Sequence, residues 1–202
     1  MDAKVDICIM AHPSRAENVQ KILECLNLPE SKVFWDDREN GGDAMYTARK
    51  AWQSPILDGC THRLVLQDDI EICENFCSFV EKAANKHPDK IVTFFHCEEY
   101  STDSRYHKDE KLWGCAIMMP IELLNNFWWF VDNRMEVYAK PNLENVLKAD
   151  TTCMRIWMRN KHIPCVTTVP SLVQHIGDIS LVGIERRRVA PDFVNHPPLT
   201  GW

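Results

Sequence analysis

Long apolar runs are missing from this 202-residue chain. None approaches the roughly 20 residues needed to span a bilayer, so no membrane span is expected. A surplus of positive charge is missing too. The formal net charge is -6, so no global field draws the chain to nucleic acid or anionic lipid. Nine cysteines are present, yet none forms a Cys-x-x-Cys pair, which excludes zinc-knuckle spacing. They read as free thiols packed in a core in a reducing compartment, and Cys73 and Cys77, four apart, suit one helix face. The first six residues carry two acids where a signal peptide would be basic, and no long apolar region follows, so a cytoplasmic location is expected. No internal repeat or low-complexity tract is visible. The one basic run, Arg186-Arg187-Arg188, is either a solvated tail or a contact for phosphate or acceptor.

What is present is an ordinary globular composition, 45% hydrophobic, long enough for one domain with its own core. The expected division is a single domain over 1–185 and an irregular tail over 186–202. Strands are expected at Val5–Met10, Lys32–Trp35, Arg63–Gln67, Lys90–Phe95, Trp113–Met119 and Cys165–Val169. Helices are expected over 15–26, 43–53, 73–85, 121–131 and 142–160, the last with Asp150 inside it. Ser14 and Glu17 have the spacing of a capping box before the first helix. The Gly41-Gly42 pair marks a turn. Residues 96 to 111 are polar and without period, and read as one long loop that could close over a ligand. Alternating strands and helices predict an α/β sandwich with a mainly parallel sheet, which places ligands at the strand carboxyl ends.

One strand stands apart. Arg63-Leu64-Val65-Leu66-Gln67 runs straight into Asp68-Asp69. Two acids at a strand's carboxyl end are a natural place to hold a divalent ion against phosphates. Asp36-Asp37 ends another strand in the same way. Far along the chain lies His175. A carboxylate and an imidazole at one metal suit Mn2+ or a similar ion such as Mg2+, with diphosphate oxygens in the remaining positions. Taken alone, His175 reads as a hydrogen-bonded loop histidine.

Gln67-Asp68-Asp69 at the end of an apolar strand resembles the Asp-x-Asp-type motif of GT-A glycosyltransferases, with a glutamine where the commoner form carries an acid. Pro170-Ser171-Leu172-Val173-Gln174-His175-Ile176-Gly177 resembles the late segment whose histidine completes the metal site there. Trp113-Gly114-Cys115-Ala116 is similar to the middle strand whose small residues leave room beside the sugar. The pieces stand in the family's order over roughly residues 5 to 183, and the look is nearest to the family 25-like, lipooligosaccharide and collagen galactosyltransferase group.

The resemblance implies a GT-A type three-layer α/β/α sandwich with a mainly parallel central sheet. It implies Asp69 and His175 as metal ligands and Asp68 as a supporting contact. It puts Ala11, His12 and Arg15 near the nucleotide, Asp36 or Asp37 at the base, Arg49 and Lys50 toward the diphosphate, and Trp113 and Gly114 beside the sugar. Asp150 is then the candidate general base of an inverting transfer. Blander roles stand beside these: a solvated cation for Arg15, Arg49 and Lys50, a turn-capping pair for Asp36-Asp37, a helix cap or surface acid for Asp150. Phe127 to Phe130 reads as core rather than sugar platform.

The expected function is metal-dependent transfer of a sugar from a nucleotide-sugar donor, UDP-sugar favoured. The acceptor is open: a glycan, a protein, a modified nucleic-acid base or a small molecule. Nucleotidyl transfer uses similar acids but wants a Gly-rich loop after strand one, and Ala11-His12-Pro13-Ser14-Arg15 has no glycine. A nucleotide-sugar-binding module without turnover is the third reading.

Overall fold

The computed structural model describes residues 2–38, 44–98, 106–109, 112–139, 143–177, 189–198 and 202. The elements run β1 (Val5–Ala11), α1 (Ala16–Leu26), β2 (Val33–Trp35), α2 (Ala44–Gln53), β3 (His62–Gln67), β4 (Ile70–Ile72) and α3 (Phe76–Lys86). They continue with β5 (Ile91–Thr93), β6 (Tyr106–Asp109), β7 (Ala116–Pro120), α4 (Ile121–Ala139), α5 (Leu143–Val146), α6 (Asp150–Lys161), β8 (Cys165–Thr168) and β9 (Val173–His175).

Among the described residues, seven strands form the central sheet in the order β2-β1-β3-β7-β5-β8-β6. β1 pairs in parallel with β2 and β3, and β5 with β8. β7 runs against both β3 and β5, and edge strand β6 runs against β8. Five strands therefore share one direction, and the sheet is mixed but mostly parallel.

Both faces are covered, which is why its strands are continuous apolar runs rather than alternations. Successive side chains of each strand enter opposite cores. Ile7 and Ile9 of β1, Leu64 and Leu66 of β3, and Ala116 and Met118 of β7 pack with α1 and α3. Cys8, Met10, Val65, Ile117 and Met119 pack with α2, α4 and α6. The result is three layers, helices on either side of a sheet.

At the strand amino ends, Asp6 and Arg63 face each other across β1 and β3 and form a fully buried pair at 2.9 Å. Arg63 also donates to the carbonyls of Ser54 and Pro55. This tie closes the end of the sheet away from the acid pairs.

Several expectations need correction. The long polar loop contains β6, a Tyr-His-Lys-Asp strand with no apolar period because it lies at the sheet edge. The rest of that expected lid, 99–105 and 110–111, lies outside the described residues, as do Gly41, Gly42 and Arg186 to Arg188. The helix expected over 121–131 continues to Ala139. The helix expected over 142–160 is two, broken where Ala149 is extended (φ -139°, ψ 123°), so Asp150 opens α6 rather than sitting within a longer helix. The strand expected from Trp113 begins at Ala116, and the one expected over Lys90–Phe95 is Ile91–Thr93. The Ser14/Glu17 capping box does not form. Pro13–Arg15 is a 3-10 turn capped by the His12 imidazole, which accepts from the Ser14 amide, and α1 starts only at Ala16. Phe127, Trp128 and Phe130 are buried as expected, while Trp129 is exposed.

Two three-residue strands had no sequence signal. β4 and β9 form a separate antiparallel ribbon with Ile70 opposite His175, Glu71 opposite Gln174 and Ile72 opposite Val173. The described part of the tail is irregular but attached. Asp192 contacts His96 at 3.0 Å and accepts from the Ser171 amide, and Gln174 exchanges two hydrogen bonds with the Ala190 backbone.

Candidate functional site

β1 and β3 are parallel neighbours in register through Met10 and Gln67, so both chains leave the sheet at the same end. The Ala11–Arg15 turn therefore lies beside Asp68-Asp69. The His12 amide donates to Asp68 Oδ2 at 2.6 Å. Arg15 Nη1 lies 2.8 Å from Asp68 Oδ1 and 2.8 Å from Asp69 Oδ2. From α1, the Asn18 side chain donates to the carbonyls of Asp68 and Ile70, which fixes the bend between β3 and β4.

The ribbon completes this corner. Because Ile70 faces His175 across β4 and β9, the imidazole arrives at the acid that precedes Ile70. His175 Nε2 lies 3.1 Å from Asp69 Oδ2, a contact across 106 residues of sequence. The Ile176 amide donates to the Asp69 carbonyl at 2.8 Å, locking the two segments together. Gly177 follows, and its backbone lies so close that an added Cβ would fall 2.8 Å from Asp69 Oδ2 and 3.3 Å from Arg15 Nη2. Only glycine fits that approach without displacing the acid or the guanidinium.

The acids differ electrostatically. Burial pushes the Asp68 carboxyl above its ordinary range, against the His12 amide and Arg15. Burial acts on Asp69 as well, but the hydrogen bond from His175 and the charge of Arg15 outweigh it and hold the group below that range. Asp69 is thus the better anion, which suits a cation ligand.

Asp69 and His175 are the two described side chains that could hold Mn2+ or Mg2+ here. Asp69 Oδ2 and His175 Nε2, 3.1 Å apart, are close enough to share one ion in place of their hydrogen bond, and Asp69 Oδ1 is buried without a hydrogen-bond partner. A carboxylate oxygen with an imidazole nitrogen is a fitting donor set for Mn2+. Two ligands do not make a closed cage, and among the described residues no group of three or more His, Cys, Asp or Glu forms one. Remaining positions would fall to a ligand's own oxygens.

A third acid, Asp150, opens the helix that packs beside the turn before β7. Gln67 bonds through its amide to the Cys115 carbonyl at 2.9 Å, which draws the turn before β7 against the end of β3. There Gly114 is wedged between Gln67 and α6: an added Cβ would be 2.9 Å from Thr151 Cγ2 and 3.2 Å from Gln67 Nε2. Asp150, next to Thr151, is buried. Its Oδ1 accepts from the Thr151 amide at 2.8 Å, and its Oδ2 accepts from the Trp52 indole at 3.1 Å. Burial pushes its carboxyl up despite both hydrogen bonds. Phe95 touches both neighbouring segments. Phe95 meets Trp113 edge-on at 6.4 Å and lies 6.4 Å from the His175 ring.

The remaining candidates are more dispersed. The Asp36 amide donates to the Ala11 carbonyl at 2.7 Å, so Asp36 stays beside the first loop. Arg38 grips its carboxylate with two hydrogen bonds, at 2.9 and 2.8 Å, and lowers its pKa. Asp37 is exposed and lowered chiefly by the Tyr46 hydroxyl and Lys50. Lys50 is thus committed to Asp37 and the Trp35 carbonyl. Arg49 is not brought to the acids. It pairs with Asp132 of α4 at 2.9 Å and stacks 4.6 Å over Trp128, because its helix position faces α4. Sequence reasoning missed Asn18, Trp52 and Gly177. A buried tryptophan reads as core, and only Gly177 carried a signal, as the glycine ending the His-Ile-Gly run.

No protein-family model matches the chain, and no curated protein sequence matches it. Solved structures show distant likenesses. One is the mannose-1-phosphate geranyltransferase from Thermus thermophilus, with a TM-score of 0.43 at 9% identity, over 83% of this chain and 74% of that one. Another is a glycosyltransferase involved in the glycosylation of the major capsid of PBCV-1, with a TM-score of 0.36 at 11% identity, over 70% of this chain and 74% of that one.

Proposed function

We propose that the chain is a glycosyltransferase that moves a sugar from a nucleotide-sugar donor, UDP-sugar favoured, to an acceptor hydroxyl with inversion. One observation carries the reading: Asp69 and His175, 106 residues apart, meet at 3.1 Å where the central strands end. Supporting it, the helix that Asp150 opens meets the end of β3 at Gly114, which lies between Gln67 and Thr151.

The residues take the following roles. The loop at Ala11 and His12, with Asp36 and Asp37, receives the nucleotide. Asp69 and His175 hold Mn2+ or Mg2+, and Asp68 fixes the first loop through the His12 amide. When bound, the metal neutralises charge developing on the diphosphate leaving group. Trp113 and Gly114 border the sugar. Asp150 takes the acceptor proton as its oxygen attacks the anomeric carbon and the bond to the diphosphate breaks. Its raised pKa suits that role, since a base works best when its pKa lies nearer the working pH. The acceptor is a glycan, a protein, a modified nucleic-acid base or a small molecule. No described helix is long and apolar enough to cross a membrane. With nine cysteines and no disulfide among the described residues, a cytoplasmic setting is proposed.

The test is donor consumption across UDP-, GDP- and CMP-sugars with Mn2+ and a panel of acceptors, with product anomers read by NMR. A UDP-sugar is consumed, and Asp150→Asn lowers transfer by about 10²–10⁴-fold while nucleotide affinity stays. No turnover of any donor and no nucleotide binding by calorimetry would refute the reading. Nucleotide binding without turnover would instead mark a binding module. Diphosphate release from a nucleoside triphosphate would mark a nucleotidyltransferase.

A further inference from the structure

We infer that Arg15 competes with the divalent metal for the Asp68–Asp69 pair, so that metal is admitted only as the guanidinium leaves the acids for the donor's diphosphate. The inference rests on the reading of Asp69 and His175 as metal ligands and adds a control on that site.

The geometry is specific. A single nitrogen, Nη1 of Arg15, touches both acids at 2.8 Å, and one of its two oxygens is Asp69 Oδ2. That same oxygen faces His175 Nε2 at 3.1 Å. The edge of Asp69 that turns toward the histidine is therefore already occupied by a positive charge. A dication taking that edge would meet the guanidinium at contact range in a buried, weakly screened setting, where like charges repel strongly. Both cations do not fit on one carboxylate oxygen.

Arg15 is built in rather than adrift on the surface. Its side chain is 18% exposed. It ends a 3-10 turn held by the His12 imidazole cap, and the His12 amide binds the other oxygen of Asp68. The backbone of Gly177 closes over Nη2. Two neighbouring buried carboxylates need a counter-charge, and Arg15 supplies it. A planar guanidinium also matches phosphate oxygens in bidentate fashion. An arriving diphosphate thus gives Arg15 a better partner, and its departure uncovers Asp69 for the metal.

The test is Mn2+ binding without nucleotide, read from loss of the free-ion electron paramagnetic resonance signal. Wild type, Arg15→Ala and Arg15→Gln are compared, each checked for an unchanged circular dichroism spectrum. Both variants bind Mn2+ at least about tenfold more tightly than wild type, and adding Asp69→Asn to either removes the gain. Wild type binding Mn2+ alone as tightly as the variants would overturn the inference and leave the metal assignment standing. Failure of both variants to bind Mn2+ would overturn the inference together with Asp69 and His175 as ligands. Sugar transfer assayed in chelator then tells whether the glycosyltransferase reading survives on its own.

Discussion

Replacing Gly177 by alanine tests whether the acid corner is as tightly built as its distances state. The new Cβ would stand 2.8 Å from Asp69 Oδ2, 3.1 Å from Asp69 Cβ and 3.3 Å from Arg15 Nη2. An ordinary contact is at least 3.4 Å, so Oδ2 must retreat by about 0.6 Å (3.4 less 2.8). Oδ2 is the oxygen that meets Arg15 at 2.8 Å and His175 at 3.1 Å. A retreat of that size takes at least one contact out of hydrogen-bond range. Overpacking of this kind costs about 1–3 kcal/mol. For a domain of this length, each kcal/mol lowers Tm by about 2–4 °C, so the expected fall is about 2–12 °C. Nucleotide affinity falls by about tenfold or more in the same variant, since the corner itself is what moves. The assays are a thermal melt and calorimetric titration with UDP in Mn2+. Gly59→Ala is the control: its φ of +78° strains any side chain, but nothing lies within 4 Å of the added Cβ, so stability falls and affinity does not. A Gly177→Ala protein that melts with wild type and binds nucleotide equally would refute the reasoning.

Three further outcomes are expected. Arg63→Met strips the buried Asp6 of one of its two cations and leaves Lys32 on Oδ1, so the loss is about 1.5–3 kcal/mol and Tm falls by roughly 3–12 °C with nucleotide affinity unchanged at low temperature. A melt within about 2 °C of wild type would show that the pair is dispensable. Asp192 is held below the ordinary carboxylate range, because His96 and the Ser171 amide outweigh its burial. A depressed folded pKa stabilises the ionised form. The contribution is therefore complete above the unfolded value of about 3.9 and is lost as pH falls through the folded one. Melts between pH 6 and 3 should show this acid-dependent loss in wild type and a smaller one in Asp192→Asn, and equal slopes would refute it. Burial pushes the Cys73 and Cys153 thiols up to about 12, whereas Cys25 is exposed. Iodoacetamide at pH 8 followed by mass spectrometry should therefore find Cys25 modified well before either.

Much of the sheet was legible because its strands are buried on both faces. β1, β3, β5, β7 and β8 all appear as apolar runs at nearly their observed places. What stayed hidden had a physical reason in each case. β6 is an edge strand and needs no apolar face. β4 and β9 are three residues each, too short for any period, and each owes its conformation to a partner about 100 residues away. The acids and the histidine could be named as candidates from residue type and local position. Their meeting was implied by the family resemblance alone, because it is a property of the β4–β9 register, which residue type and spacing do not carry. Asp150 was visible as an acid near a helix, but its break from α5 and its indole partner on α2 are tertiary facts. Arg49 shows the opposite failure: a cation on the expected helix turned to a neighbouring helix instead.

The ribbon between Ile70 and His175 also sets a schedule for synthesis. Chains grow at about 5–20 residues per second, so Asp69 leaves the ribosome roughly 5–20 seconds before the histidine it will face. During that interval β1, α1 and β3 are already available, and with them the nearby Arg15, only 54 positions upstream of Asp69 (69 less 15). A nascent chain can thus cover its acid pair from within, using a charge made earlier, until the late strand docks. A product truncated before residue 173 would keep the first three parallel strands and the Arg15 contact but lose the β4–β9 ribbon. Completion of the corner thereby reports that the chain has been made at least as far as β9.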